Sequence, residues 1–158
     1  LTLPNVTVST QNFMLGSYNI NEIGNITIPL VQTIQNFQFG NYSLVKQGVL
    51  NTTTALTNID NAWYECRNLR EIVLTQCSNV TVVGQAFFGT TSLEKLILPG
   101  LRIGFNIAQS TLSATALNDL FTSLGTASGS QTITITGNPG APTCNTSIAT
   151  SKGFTVII

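Results

Sequence analysis

Few side chains in this sequence could carry out acid–base chemistry. The chain contains no histidine, so the commonest general base and a frequent metal ligand are missing. Its acidic residues are scattered, and no two form an obvious carboxylate pair: Glu22, Asp60, Glu65, Glu71, Glu94 and Asp119. The pattern predicts no catalytic residue, and we expect that the protein is not an enzyme.

The three cysteines lack the spacing of a zinc site or of a cysteine nucleophile. Cys66, Cys77 and Cys144 form no CxxC pair, and such sites usually combine cysteine with histidine. Three thiols are also too few for a disulfide framework. We expect three small buried thiols, with one disulfide as the alternative, and we predict neither a metal site nor a cofactor.

The composition excludes further functional classes. Of 158 residues, 6 are Lys or Arg and 6 are Asp or Glu, so the formal net charge is zero. Six scattered cations do not make the basic surface that binds a phosphate backbone, so nucleic acid is not an expected partner. No apolar run approaches the roughly 20 residues that span a bilayer. The hydrophobic fraction of 42% is enough for a folded core, so the composition favours binding or structure over catalysis.

An internal repeat of about 24 residues organises the chain. Residues 61–74 match residues 85–98: each segment has an amide residue, Ala and two aromatic residues, followed later by Leu-x-x-aliphatic-x-Leu. Similar aromatic boxes occur at 12–16 and 36–40. Because one repeat cannot bury its own apolar face, neighbouring repeats must stack and share a core.

The repeat predicts an α/β solenoid with a single parallel β-sheet and with short helices and irregular return segments on the other side. Ser113 can cap a helix that stops at Gly125, and a second short helix fits residues 145–152, closed by Gly153. The sheet is expected to contain about seven short strands, near residues 1–3, 25–29, 48–51, 71–75, 95–98, 132–136 and 154–158.

Alternation along the expected strands selects the residues that face outward. If Ile26, Val49 and Ile72 align and point into the core, then Leu50, Val73 and Ile97 point outward and form an apolar row. Glu71 and Lys95 then lie opposite each other on neighbouring strands beside this row. This face is the candidate contact surface for a partner. The alternative is that loops cover it, or that β-branched residues merely suit a strand. Its predicted residues are Leu50, Val73, Ile97, Glu71 and Lys95.

The units at 61–74 and 85–98 resemble leucine-rich repeats of the BspA-like surface-protein class. One unit matches that pattern at its box and strand positions, namely Ala62, Tyr64, Cys66, Leu69, Ile72 and Leu74. The segments at 133–140 and 146–156 resemble terminal repeats of bacterial surface proteins and bacteriophage virion proteins. The resemblance implies one leucine-rich-repeat domain over 1–158, with divergent repeats at 1–59, BspA-like repeats at 60–110 and helix-containing terminal repeats at 111–158.

The resemblance implies a non-enzymatic structural or attachment module. We expect it on the exterior of a bacteriophage virion, as a capsid decoration, a head fibre or a receptor-binding fibre domain. The alternative is a BspA-like bacterial adhesin, at the cell surface or secreted, that binds a host protein or glycan. The expected partners are accordingly other virion or surface proteins, copies of this chain, or a host receptor or glycan. An enzyme acting on surface polysaccharide would require an acid pair facing one groove.

Overall fold

The structure is a computed structural model that describes residues 22–34 and 44–158. The strand expected near 1–3 and the aromatic boxes at 12–16 and 36–40 lie outside the described residues. Within the described part, the chain forms short strands and two helices. They are β1 Glu22–Ile23, β2 Ile26–Thr27, β3 Lys46–Gln47, β4 Leu50–Asn51, β5 Glu71–Val73, β6 Lys95–Ile97, β7 Phe105–Asn106, α1 Ala114–Ser123, β8 Gln131–Thr134, α2 Ser147–Thr150 and β9 Phe154–Ile157.

The described strands are parallel, as predicted, but they do not form one continuous sheet. They make four small sheets, with the pairings β1–β3, β2–β4, β5–β6 and β7–β8–β9. One of the breaks in the expected single sheet follows β6, where helix α1, and not another strand, packs beside it. The backbone N–H of Leu98 donates to Ser123 Oγ at 3.2 Å, and the N–H of Gly100 donates to the Ser123 carbonyl at 2.9 Å.

Paired strands are one full repeat apart in the first half of the described chain. Leu50 pairs with Ile26 in β2 and bridges Leu74 on its other side. These aliphatic side chains are almost completely buried, and they form one column of the core. A second line of bridges joins Thr33 to Asn58 and Asn58 to Val82, so successive coils of the chain are connected at two places.

The prediction that Leu50 faces outward is wrong. Leu50 is fully buried, because Leu50 itself pairs with Ile26, whereas the expected alignment placed Val49 opposite that residue. A register change of one residue exchanges the inner and outer faces of a strand. Since Leu50 pairs with Leu74, it is Val49 that lies beside Val73 on the outer side, where it is half-buried.

Helix α1 begins where the sequence predicts. The hydroxyl of Ser113 accepts a hydrogen bond from the backbone N–H of Ala116, which satisfies one of the unpaired donors of the first turn. One face of the helix is buried against the core through Leu117, Leu120 and Phe121. Helix α2 is shorter than expected, and Gly153 follows it with a left-handed φ of 90°.

Two polar side chains connect the C-terminal coils through hydrogen bonds to backbone groups. Asn138 is 3% exposed, and its amide accepts from the Leu112 N–H while it donates to the carbonyls of Ile107 and Ile135. Lys152 Nζ donates to the carbonyls of Phe121, Thr122 and Leu124, at 2.9, 2.7 and 2.6 Å. These carbonyls lie at the C-terminal end of α1, where a cation also complements the helix dipole.

The cysteines are free thiols in the described structure. Cys66 and Cys77 are buried, whereas Cys144 is partly exposed, so the disulfide alternative is not observed. Burial raises the pKa of the Cys77 thiol to about 12, because the thiolate loses its hydration in apolar surroundings.

Candidate functional site

The strand face is the outer side of β5 and β6, built from Glu71, Val73, Lys95 and Ile97. Glu71 lies opposite Lys95, and Val73 lies opposite Ile97, so these four predicted residues are brought together. Lys95 Nζ is 3.8 Å from Glu71 Oε2, and about half of each charged side chain is exposed. Val73 and Ile97 are half-buried. Leu50 is excluded from this face, because it belongs to the core.

A second ion pair lies next to the strand face. Arg70 Nη1 is 3.2 Å from Glu94 Oε1, and both side chains are more than half exposed. The charges around the apolar pair Val73 and Ile97 are therefore balanced within the chain. Such a surface offers an apolar centre with a polar, neutral rim, which is the usual anatomy of a protein–protein contact.

A cleft of about 620 Å³ lies elsewhere, between residues 65–91 and 106–109. It shares no residue with the strand face. Its volume falls in the range of about 300–1,000 Å³ that is typical of small-molecule sites. No motif in the sequence had predicted it.

The cleft exists because the coil that follows Phe88 is contracted. One coil earlier, Thr91 contacts the carbonyl of Arg67, a step of 24 residues. In the next coil Thr111 contacts the carbonyl of Leu93, a step of only 18. In the described structure, no backbone hydrogen bond joins residues 81–89 to residues 104–109, so the stack is open at this point.

Aromatic rings form the base and one wall of the cleft. Trp63 and Phe87 stack in the core, with ring centroids 5.7 Å apart, and Phe87 meets Phe105 edge-on at 5.9 Å. Above them, Tyr64 stacks on Phe88 with centroids 5.1 Å apart and an angle of 20°. Phe88 is 51% exposed, because the contracted coil supplies no ring to cover it.

Polar side chains complete the lining. Amide groups come from Gln85, Asn106 and Gln109, and a charged pair comes from Glu65 and Arg67. Arg67 Nε lies 2.5 Å from Glu65 Oε2, so the two charges compensate each other. A matching signal was present in the sequence: the aromatic box at 85–88 has no counterpart one repeat later.

The described residues give no sign of a metal centre or of a membrane-spanning helix. In residues 22–34 and 44–158, no three His, Cys, Asp or Glu side chains are grouped so that they could hold a metal ion. Across the same ranges, no helix has both the length and the apolar character that crossing a bilayer requires.

Comparison with protein families identifies the repeats. Residues 2–119 match the BspA type leucine rich repeat region in six copies. The match covers most of the chain, including the first repeats, which look divergent in sequence, and it ends within α1. The chain therefore belongs to the BspA-type leucine-rich-repeat family, whose members are generally non-catalytic binding modules. No curated protein and no solved structure matches it.

Proposed function

We propose that this protein is a surface-exposed or secreted adhesion module that binds a protein partner through the strand face. The observation that carries the proposal is the half-buried pair Val73 and Ile97, framed by the Glu71–Lys95 and Arg70–Glu94 ion pairs. Family membership supports a binding role at a surface. Burial of the apolar centre supplies most of the binding free energy. The rim has no net charge, so it gives no electrostatic attraction to strongly charged proteins.

The family match favours the adhesin hypothesis over the virion role expected from the terminal repeats. The matched region ends at residue 119, so the segments that suggested a virion protein lie beyond it and stay without support. A role as an enzyme is also disfavoured, because the family is generally non-catalytic and Glu71 and Glu94 are each engaged in an ion pair with a cation.

The test compares binding of the purified chain to host extracellular proteins, to host cells and to bacteriophage capsids. The variant Val73→Lys places a charge at the centre of the strand face, and the matched control Val82→Lys places one at an exposed position, 42% accessible, outside that face. We expect saturable binding to a host protein that weakens at least tenfold in Val73→Lys and is unchanged in Val82→Lys. Equal affinity in both variants, or binding to capsids alone, would overturn the proposal.

A further inference from the structure

We infer that the cleft beside Phe88 is a second binding site, and that it takes a neutral saccharide. The inference is independent of the strand face, because the two surfaces share no residue. Phe88 exposes one face of its ring, while its other face is held against Tyr64. A ring fixed in this way offers an apolar platform without a large ordering cost on binding. The C–H face of a sugar ring fits such a platform.

The amides of the cleft suit hydroxyl groups. Gln85, Asn106 and Gln109 each carry a carbonyl acceptor and an NH₂ donor, and a sugar hydroxyl can both donate and accept. The Asn106 Oδ1 atom accepts from the Ala108 N–H at 2.8 Å. That bond fixes the side chain, and it directs the Asn106 NH₂ group as a donor. Apart from the aromatic rings, the side chains of the lining are predominantly polar.

The charge balance of the cleft argues against an ionic ligand. Its two charged residues, Glu65 and Arg67, form an ion pair with each other, so no net charge is available to attract a phosphate, a sulfate or an acidic peptide. A bound peptide strand would need a long unpaired sheet edge, whereas β7 offers only two residues. A neutral ligand with apolar faces and many hydroxyls remains the best fit.

The wall of the cleft is held in a fixed shape by left-handed backbone. Glu65 and Gln109 have φ values of 60° and 62°, and both line the cleft. Residues other than glycine adopt this conformation at an energetic cost, and they concentrate at functional sites. Gly89, at φ 77°, lies so close to Glu65 that an added Cβ would sit 3.0 Å from its carboxyl group. The ion pair and the turn are therefore packed against each other.

The experiment titrates the purified chain with cellotriose, maltotriose, lactose and N,N′,N″-triacetylchitotriose. Binding is followed by calorimetry and by Trp63 fluorescence, since Trp63 stacks on Phe87 beneath the cleft. Phe88→Ala removes the platform, and Asn106→Asp keeps the acceptor for Ala108 but removes the donor. Val82→Ala serves as the control, since Val82 is exposed but does not line the cleft.

We expect at least one neutral saccharide to bind saturably in the millimolar range or tighter. Its affinity should fall at least tenfold in Phe88→Ala and severalfold in Asn106→Asp, with no change in Val82→Ala. If Phe88→Ala fails to fold, as judged by thermal unfolding, Asn106→Asp decides. The inference is overturned if none of the four saccharides binds, or if binding is equal in all folded variants. Val73→Lys must leave saccharide binding intact, which separates this result from the fate of the strand-face proposal.

Discussion

The coils at 44–98 and the coils at 99–158 are held together in different ways. In the first region equivalent positions recur at a constant interval, so that Leu50 bridges Leu74 and Trp63 stacks on Phe87. In the second region a helix lies beside β6, and single polar side chains such as Asn138 and Lys152 bind backbone groups of neighbouring coils.

The difference shows what a repeat contributes to stability. Where the sequence repeats, each residue packs on its own counterpart, and the energy is spread over many similar contacts. Where the repeat breaks off, backbone groups that a neighbouring strand would have paired need other partners. The free energy of unfolding should therefore depend on many small contributions in the first region and on a few residues with large contributions in the second.

The largest expected effect is at Asn138, in the second region. Asn138→Leu leaves the Leu112 N–H and the Ile107 carbonyl without their partners in a buried place, which should cost about 5 kcal/mol of unfolding free energy. Urea unfolding followed by circular dichroism measures it. The control is Asn79→Ala in the first region, where an exposed amide donates to the Thr54 carbonyl; it should cost below about 1 kcal/mol. Similar losses in both variants would remove the contrast between the regions.

The next effect is a pH dependence in the first region. The pKa of Cys77 is raised from 9.0 to about 12 by burial, so the folded state favours the neutral thiol. Its contribution is complete below pH 9 and is lost as the pH rises from 9 towards 12, by at most about 4 kcal/mol. Urea unfolding at about pH 8 and about pH 11 should show a steeper loss in the unmodified protein than in Cys77→Ala. Cys144→Ala is the comparison: burial also raises the pKa of that thiol, but Cys144 is partly exposed, so this variant should keep most of the loss. Parallel losses in all three proteins would contradict the assignment to Cys77.

Lys152 should have a smaller effect, again in the second region. Lys152→Met retains most of the aliphatic stem but removes three hydrogen bonds to carbonyls near the end of α1. We expect a loss of roughly 2 kcal/mol, because a cation at a helix C-terminus is replaced by a thioether. Thermal unfolding measures the loss, with the exposed Lys46→Met as the matched control. An unchanged midpoint for Lys152→Met would show that other contacts hold the helix end.

The smallest effect is expected for the ion pair of the strand face. A double-mutant cycle with Glu71→Gln and Lys95→Gln should give a coupling of about 0.5 kcal/mol or less, since both side chains are half exposed. About 1 M NaCl should abolish the coupling by screening. Arg70 and Glu94, 3.2 Å apart, provide a parallel cycle. A coupling that persists in salt would mean that the strand face is less open to water than its exposure indicates.

Much of the fold could be predicted wherever the repeat was regular. The strands at β5, β6, β8 and β9, the Ser113 cap and the opposition of Glu71 and Lys95 all follow from alternation, spacing and capping chemistry. The register of Leu50 was missed, because placing either Val49 or Leu50 opposite Ile26 fits the apolar pattern equally well. Only the contacts with Ile26 and Leu74 distinguish the two alignments.

The rest could not be predicted because it depends on where the repeat fails. Strand β7, Phe105–Asn106, was missed because it lies outside the 24-residue spacing that relates β5 to β6. Helix α1 lies beside β6, where the repeat predicts another strand. Its position depends on packing between coils, which the spacing of residues along the chain does not show. The cleft beside Phe88 arises from a contracted coil, so it was detectable only as a missing aromatic box and not as a motif.

The unequal burial of the three thiols has a practical consequence. Alkylating reagents require an accessible thiolate, and Cys66 and Cys77 are buried whereas Cys144 is partly exposed. Burial raises the pKa of the Cys144 thiol, so maleimide treatment of the folded protein at mildly alkaline pH, where more of this thiol is ionised, should attach one fluorophore or spin label at Cys144, beside α2, without any engineered cysteine. A label on Cys144 would lie in the second region, and changes in its signal could report binding at the strand face or at the cleft in solution.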